Sequence, residues 1–317
     1  MSSDTIDLAH GISRLDTHYM KPGIAALYLM REKNRVAIIE TGTTHSVPAV
    51  IDALRQRGLD VDDVDFVIPT HVHLDHAGGA GELMRVCPRA QLVIHPYGAR
   101  HMIDPARLVA GTKAVYGEAR FERLYGELQP VAAERVLQAP DNFELDFNGR
   151  TLRFLDTPGH ARHHFCVYDE INGGIFSGDT FGLGYPQLQT DEGRFMFPTT
   201  TPVQFDPPAL LDSIDRLMAL KPQTIYLTHF GPVTPTPYMA EQLKQGVRDF
   251  TAIAREERTS GDRRVARIEA RLMDYLLGRL DELGCPLPEN EIRELLQNDV
   301  TLNAQGLDVW LEKATAA

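Results

Sequence analysis

The chain has 317 residues, 43% of them hydrophobic and 24% charged, a balance that excludes wholesale disorder and predicts one large catalytic domain with an appendage. Its formal charge of −12 argues against a nucleic-acid binder, which needs clustered Lys and Arg to displace counterions from phosphates. The opening MSSDTIDLAHG lacks the basic and apolar regions of a secretory signal and no apolar run approaches a membrane span, so the expected location is the cytoplasm with no membrane partner.

In chain order, residues 12–15, 25–30 and 36–39 read as successive antiparallel strands separated by turn or charged segments. Ser46 and Pro48 open a helix reaching Gly58, with Ser as its cap and Pro tolerated in the first turn. Residues 64–68 form a buried strand that ends at Pro69, directly before the histidine cluster HVHLDH, and 78–86 read as a short helix. After a strand at 92–94, residues 101–128 read as mainly helical, within an insertion spanning about 96–130. A hairpin over 135–157 turns at Asn148-Gly149. Further strands are expected around Val167, at 175–176 and at 224–227, with an irregular loop at 182–208 and a helix at 210–220. Beyond about 235 strand signals cease, and helical periodicity covers Met239, Leu243, Val247, Phe250 and Ile253, then 265–283, 289–297 and 304–313. Arg263, Arg264, Arg267 and Arg271 read as a solvated helix face. Cys87, Cys166 and Cys285 are far apart without a CxxC pair, which argues against a disulfide framework or a thiolate zinc site.

The chemistry concentrates in HVHLDH. In an extended segment alternate side chains face the same way, so His71 and His73 can share one ion while Val72 turns inward. A bend then presents Asp75 and His76 to a neighbouring ion, with Gly78 and Gly79 letting the backbone turn and pack closely. Three later strand-to-loop junctions each add one donor: His160 in DTPGH, Asp179 in FSGD and His229 in LTH.

HVHLDH, TPGH, SGD and TH in this order resemble the metallo-β-lactamase superfamily, especially its glyoxalase II-like hydrolase branch, over roughly residues 10–235. The resemblance implies an α/β protein with that superfamily's αβ/βα four-layer sandwich, its metals in a cleft at one sheet edge, and a C-terminal helical extension. It divides the chain into a catalytic domain at 1–235 and a helical cap at 236–317. It places His71, His73 and His160 on one metal, Asp75, His76 and His229 on the other, and Asp179 between them. The family often has Asp where Glu40 stands in IIETG, a position that supports the site from outside, and the longer acid can still reach. The C-terminal helices do not match the glutathione-thioester-binding domain of glyoxalase II.

Two divalent cations, two carboxylates and a bridging hydroxide sum to about +1, a centre suited to an anionic transition state. The expected function is a di-metal-dependent hydrolase that attacks a small ester, thioester or lactone with a metal-bridging hydroxide. Asp75 and Asp179 are its catalytic carboxylates, zinc is the expected metal, and iron or manganese are the alternatives. A phosphodiester hydrolase on the same centre and a di-iron oxygen-binding or sensing protein are the rival functions. The expected partner is a small-molecule substrate, and a homodimer is one assembly the sequence allows. His10, His18, His45, His95, His101, His163 and His164 fall outside the pattern, with surface or hydrogen-bonding roles expected and His163 and His164 supporting the ligands. Tyr185, Arg194, Phe195 and Phe197 either line the substrate pocket or anchor their loop, and Trp310 is expected to pack. HAGGAG lacks the Lys and Ser/Thr of a P-loop, and no GxSxG is present.

Overall fold

A computed structural model describes residues 5–316. Met1 to Asp4, part of the stretch in which no secretory signal is read, lie outside the described residues. The chain forms two compact units. The first runs to Asp156 and adds His163–Gly178 and Gln223–Pro232, while the second takes Thr157–Arg162, Asp179–Pro222 and everything from Val233.

The first unit carries a seven-stranded sheet of β1 (Thr5–Asp7), β2 (Ile12–Asp16), β3 (Ala26–Glu32), β4 (Arg35–Ile39), β5 (Val64–Ile68), β6 (Gln91–Ile94) and β7 (Val136–Gln138) in that order. Its first four strands are antiparallel and β4 to β7 are parallel. β8 (Phe143–Phe147), β9 (Arg150–Asp156), β10 (Phe165–Asp169) and β11 (Gly174–Gly178) belong to the second sheet. The chain then forms a small ribbon of β12 (Gln189–Thr190) and β13 (Gly193–Arg194), before β14 (Thr224–Leu227) and β15 (Gly231–Val233) complete the second sheet in the order β15-β14-β11-β10-β9-β8.

Period-two alternation explains why β3 is apolar from Ala26 to Met30. Leu27 and Leu29 enter a core with Val47, Val50, Ala53 and Leu54 of α1 (Val47–Gln56), while Tyr28 and Met30 face the other way, into a core with Phe154, Phe165, Val167 and Phe176 of the second sheet. A strand buried on both faces has no polar side to show. Ser46 precedes α1, but its hydroxyl accepts from the Thr43 N–H at 3.2 Å rather than capping the helix.

The same unit holds α2 (Leu74–Ala77), α3 (Ala80–Val86), and the insertion helices α4 (Pro96–Ile103), α5 (Ala106–Tyr116) and α6 (Glu118–Tyr125). The second unit contains α7 (Pro207–Ala219), α8 (Pro237–Glu256), α9 (Arg264–Glu282) and α10 (Glu289–Ala316). Asp206 caps α7 and Thr236 caps α8 through their side chains. α10 is continuous where the sequence predicts two helices. Asn298, Asp299, Thr301 and Asn303 are weak helix formers, yet packing overrides them: Asn303 Oδ1 accepts from the Thr200 N–H at 2.5 Å and from its hydroxyl at 2.9 Å, and Leu296, Val300 and Leu307 are fully buried. The arginine run is a solvated face, as expected, and it is also ion-paired. Arg267 and Arg271 converge on Glu257 at 2.5 and 3.1 Å, and Ser260, then Arg267, hold that carboxyl down at about 2.

No described helix is long and apolar enough to cross a membrane. Cys87 and Cys166 are buried free thiols and Cys285 is half-buried, with burial pushing the Cys87 thiol up to about 12. Because the thiolate is the reactive form, a maleimide at pH about 8 labels Cys285 first, and Cys87 only after unfolding. Mass-spectrometric mapping checks this; labelling of Cys87 in the native protein at the rate of a free thiol contradicts the packing around it.

Candidate metal centre

Every donor of the centre stands just beyond a strand. β5 ends at Ile68, the chain bends through Thr70 to His73, and α2 then places Asp75 and His76 in its single turn. Val72 is buried in the core between these histidines, which turns the flanking rings the other way. His160 follows β9, Asp179 follows β11 and His229 follows β14. The HVHLDH segment is tied to the loop after β4, because the Thr41 N–H donates to the His76 carbonyl at 2.8 Å and the Gly79 N–H to the Gly42 carbonyl at 3.0 Å. Gly78 and Gly79 have ordinary negative φ values of −62° and −83°, so close approach rather than a special turn requires them. A Cβ on Gly79 would come within 2.8 Å of the carbonyl oxygens of Thr41 and Thr43.

The seven side chains fall into two groups. Donor atoms of His71, His73, His160 and Asp179 all lie within 4.8 Å of one another, as do those of Asp75, His76 and His229. The rings of His71 and His73 have centroids 4.5 Å apart, and those of His71 and His76 4.0 Å apart. His160 Nε2 is 3.3 Å from Asp179 Oδ2, and His229 Nε2 is 3.4 Å from Asp75 Oδ2.

The outer hydrogen bonds fix which nitrogen of each ring points inward. His76 Nδ1 donates to Glu40 Oε1 at 3.0 Å, His229 Nδ1 to the Ile24 carbonyl at 2.7 Å and His160 Nδ1 to the Thr199 carbonyl at 3.3 Å. The Thr70 hydroxyl donates to Glu40 Oε1 at 2.6 Å and therefore accepts from His71 Nδ1 at 3.1 Å. In the neutral form of these four rings, the form that binds a metal, Nε2 carries a lone pair and no hydrogen. His76 Nε2 and His229 Nε2 face each other at 3.3 Å. Two lone pairs at that separation beside the Asp75 carboxylate repel unless a cation sits among them, so the donor set fits a bound metal.

Glu40 is the hub of this outer layer. It is 1% exposed, and besides His76 and the Thr70 hydroxyl it accepts from the Thr70 N–H at 3.0 Å and the Thr228 hydroxyl at 2.9 Å. The parallel register that sets Ile39 opposite Ile68 brings Glu40 beside Thr70. Its φ of +64° is left-handed, which Glu rarely adopts. Thr70 and Thr228 escaped the sequence reading, although each immediately precedes a donor histidine, and that repeated Thr-His pair was an available signal. Gly178 has φ +48°, and a Cβ there would meet Thr70 Oγ1 at 2.4 Å and His164 Nε2 at 2.5 Å; only glycine fits.

The remaining histidines divide as follows. The His164 ring lies 4.9 Å from that of His71, and the His163 ring 5.8 Å from that of His73. His95 pairs with Asp156 at 3.2 Å, His45 meets the Glu122 carbonyl at 3.3 Å, and His10 and His18 occupy left-handed backbone positions. Burial, then Arg100 and Arg107, lower the pKa of His101. In the second unit Tyr185 donates to Asp299 at 3.0 Å and Arg194 to the Gly184 carbonyl at 3.1 Å, so both anchor their own loop. Phe195 stacks on Phe197, and Trp310 packs edge-on to Phe205 beneath Arg255.

A family model described as the metallo-beta-lactamase superfamily matches residues 20–229. The chain belongs to this superfamily. Its α/β architecture, with the C-terminal helical region, is the metallo-β-lactamase fold. A metallo-beta-lactamase fold-containing protein from Sulfurisphaera tokodaii is 29% identical over 228 residues, covering 71% of this chain and 79% of that protein. A hydroxyacylglutathione hydrolase from Prochlorococcus marinus is 30% identical over 155 residues, covering 47% of this chain and 48% of that enzyme. The match thus takes in about half the length of that hydrolase. The crystal structure of a metallo-beta-lactamase family protein from Thermus thermophilus superposes with a TM-score of 0.67 at 22% identity, over 96% of this chain and 94% of that one.

Proposed function

We propose that this superfamily member is a di-metal-dependent hydrolase of a small ester, thioester or lactone. The observation that carries the reading is the ring orientation: His71, His76, His160 and His229 all tie Nδ1 to an oxygen and turn Nε2 toward Asp75 and Asp179. In this reading His71, His73 and His160 hold one divalent cation, Asp75, His76 and His229 hold the other, and Asp179 serves both. Such cations, when bound, supply Lewis acidity toward a carbonyl oxygen and acidify water toward neutrality. Asp75 and Asp179 offset part of the cation charge and, as acceptors, can hold an attacking water by its proton. Glu40, Thr70 and Ile24 keep the rings from turning, so the donors need no rearrangement as charge develops. Imidazole and carboxylate suit zinc, iron and manganese alike. The name of the hydroxyacylglutathione hydrolase relative supports an ester-type bond over a phosphodiester.

The test is metal analysis of the purified protein with turnover measured on matched ester, thioester, lactone and phosphodiester substrates. Two metals per chain and turnover of a carboxylic substrate ahead of the phosphodiester are expected. Two bound metals with no hydrolysis, or a coloured oxygen-responsive iron form that hydrolyses nothing, overturns the reading.

A further inference from the structure

Asn303, on α10, is buried and makes hydrogen bonds on both sides of Thr199. Its Nδ2 donates to the Pro198 carbonyl at 3.3 Å. Its Oδ1 accepts the Thr200 N–H at 2.5 Å and shares the Thr200 hydroxyl proton with the Asn303 backbone carbonyl, at 2.9 and 3.1 Å. Thr199 and Thr200 are themselves buried. The helix backbone sits equally close to this loop. A Cβ on Gly306, in the same helix, would stand 1.6 Å from the Thr200 carbonyl oxygen, so only glycine allows the approach.

The Thr199–Thr200 peptide joins this clamp to the metal centre. It is trans and planar, so its N–H and its carbonyl point in opposite directions and can only turn together. Asn303 holds the N–H at 2.5 Å, and the carbonyl accepts His160 Nδ1 at 3.3 Å. A rotation that released one bond would break the other. Each bond also polarises the next, because a peptide whose N–H is engaged has a more basic carbonyl oxygen. A ring whose Nδ1 proton is held in this way keeps Nε2 bare and basic. Without Asn303 the buried Thr200 N–H loses its acceptor, a loss that favours turning the peptide toward another. His160 is then free to take the other tautomer, in which Nε2 carries the hydrogen.

We propose that Asn303 is a positioning residue of the metal centre, setting the tautomer and direction of His160 through the Thr199–Thr200 peptide, an inference that rests on the reading of His160 as a cation ligand. The C-terminal helix thereby holds one donor ring in place, although none of its own side chains is among the seven donors. Thr200 supplies a comparison within the same contact. Its hydroxyl bonds Asn303 but is not part of the peptide plane. Removing that hydroxyl weakens the contact between helix and loop, yet leaves the N–H on Asn303 and the carbonyl on His160.

The experiment compares the full-length wild type with Asn303→Leu, Asn303→Ala, Thr200→Val and His160→Ala in stepwise zinc affinity, measured by competition with calibrated chelators. In both Asn303 variants one of the two dissociation constants is expected to rise about 10- to 100-fold, the same constant that rises further in His160→Ala, while the other moves less. Thr200→Val is expected to lower the melting midpoint and leave both constants at their wild-type values. A second arm reads the His160 ring nitrogens by NMR in the metal-free proteins at pH about 8.5, above the ordinary imidazole pKa. Wild type and Thr200→Val are expected to show the Nδ1–H tautomer, and the Asn303 variants a mixture of the two. Circular dichroism reports folding; should Asn303→Leu not fold, Asn303→Ala carries the test, and if neither folds the residue is a core element and the proposal falls. Folded Asn303 variants with wild-type constants and a single tautomer overturn it. So does an equal loss of affinity in Thr200→Val, which makes the effect one of helix docking. Where His160→Ala binds zinc as wild type does, the ligand reading of His160 falls, and the tautomer arm alone decides the role of Asn303.

Discussion

On the proposed hydrolytic reading, removing the metals with a chelator is expected to lower kcat/KM by about 10³-fold or more, with readdition of zinc restoring the wild-type protein but not Asp179→Ala or His73→Ala. The magnitude follows from what the centre contributes. Polarising a carbonyl and acidifying water are worth several kcal/mol of transition-state stabilisation, and in the proposed reading the imidazoles and carboxylates grouped there are taken up as ligands and do not replace either effect. Asp179 stands 3.3 Å from His160 Nε2 and groups with His71 and His73, so its loss removes a donor and a counter-charge together. His73 lies 4.5 Å centroid to centroid from His71, and its loss leaves one ion with too few nitrogens. Thermal melting gives an independent readout, because a cation that binds only the folded chain raises the midpoint. Wild type should gain stability with zinc and the two variants should gain less. Full activity of a protein shown to be metal-free rules out the metal-dependent mechanism.

What the sequence made legible was local. His71 and His73 were readable from period-two spacing after a strand, and His160, Asp179 and His229 because each follows an apolar run with a turn behind it. β2 to β5 were readable because their apolar runs are bounded by charged or turn residues. What depended on distant partners was not legible. Nothing in the stretch around Tyr125 indicates that it stacks on a residue 106 positions earlier. The break expected in α10 was a fair inference from propensity, overturned by Asn303 and its bonds to Thr200. The solvated reading of Arg267 and Arg271 holds, at 55% and 38% side-chain exposure, but their shared partner Glu257 was not legible because it lies at the end of a different helix. Glu40 stands between these cases. Its type and position were noticed through resemblance, whereas its four hydrogen bonds require the parallel register of β4 and β5 and the return of β14.

Glu40→Gln is expected to weaken metal affinity or kcat/KM about 10- to 100-fold and to destabilise the fold by about 1–3 kcal/mol. The carboxylate accepts four protons: three on Oε1, from the Thr70 hydroxyl, the Thr228 hydroxyl and His76 Nδ1, and one on Oε2, from the Thr70 N–H. An amide of the same shape must set its NH₂ against at least one of those donors, and the Thr70 N–H cannot reorient. If the amide oxygen keeps the Oε1 position, His76 stays aligned but loses the negative charge that makes its Nε2 a stronger donor. If it takes the other position, His76 turns or changes tautomer and no longer faces His229. Glu40→Asp separates charge from reach: it keeps the charge and tolerates the left-handed backbone better, but shortens the arm by one methylene, so a smaller loss than for Gln is expected wherever charge dominates. Competition with a calibrated chelator measures affinity, and turnover and melting midpoint are read on the same preparations. A Gln variant with wild-type affinity and turnover removes Glu40 from the centre and leaves it a purely structural bridge between Thr70 and Thr228.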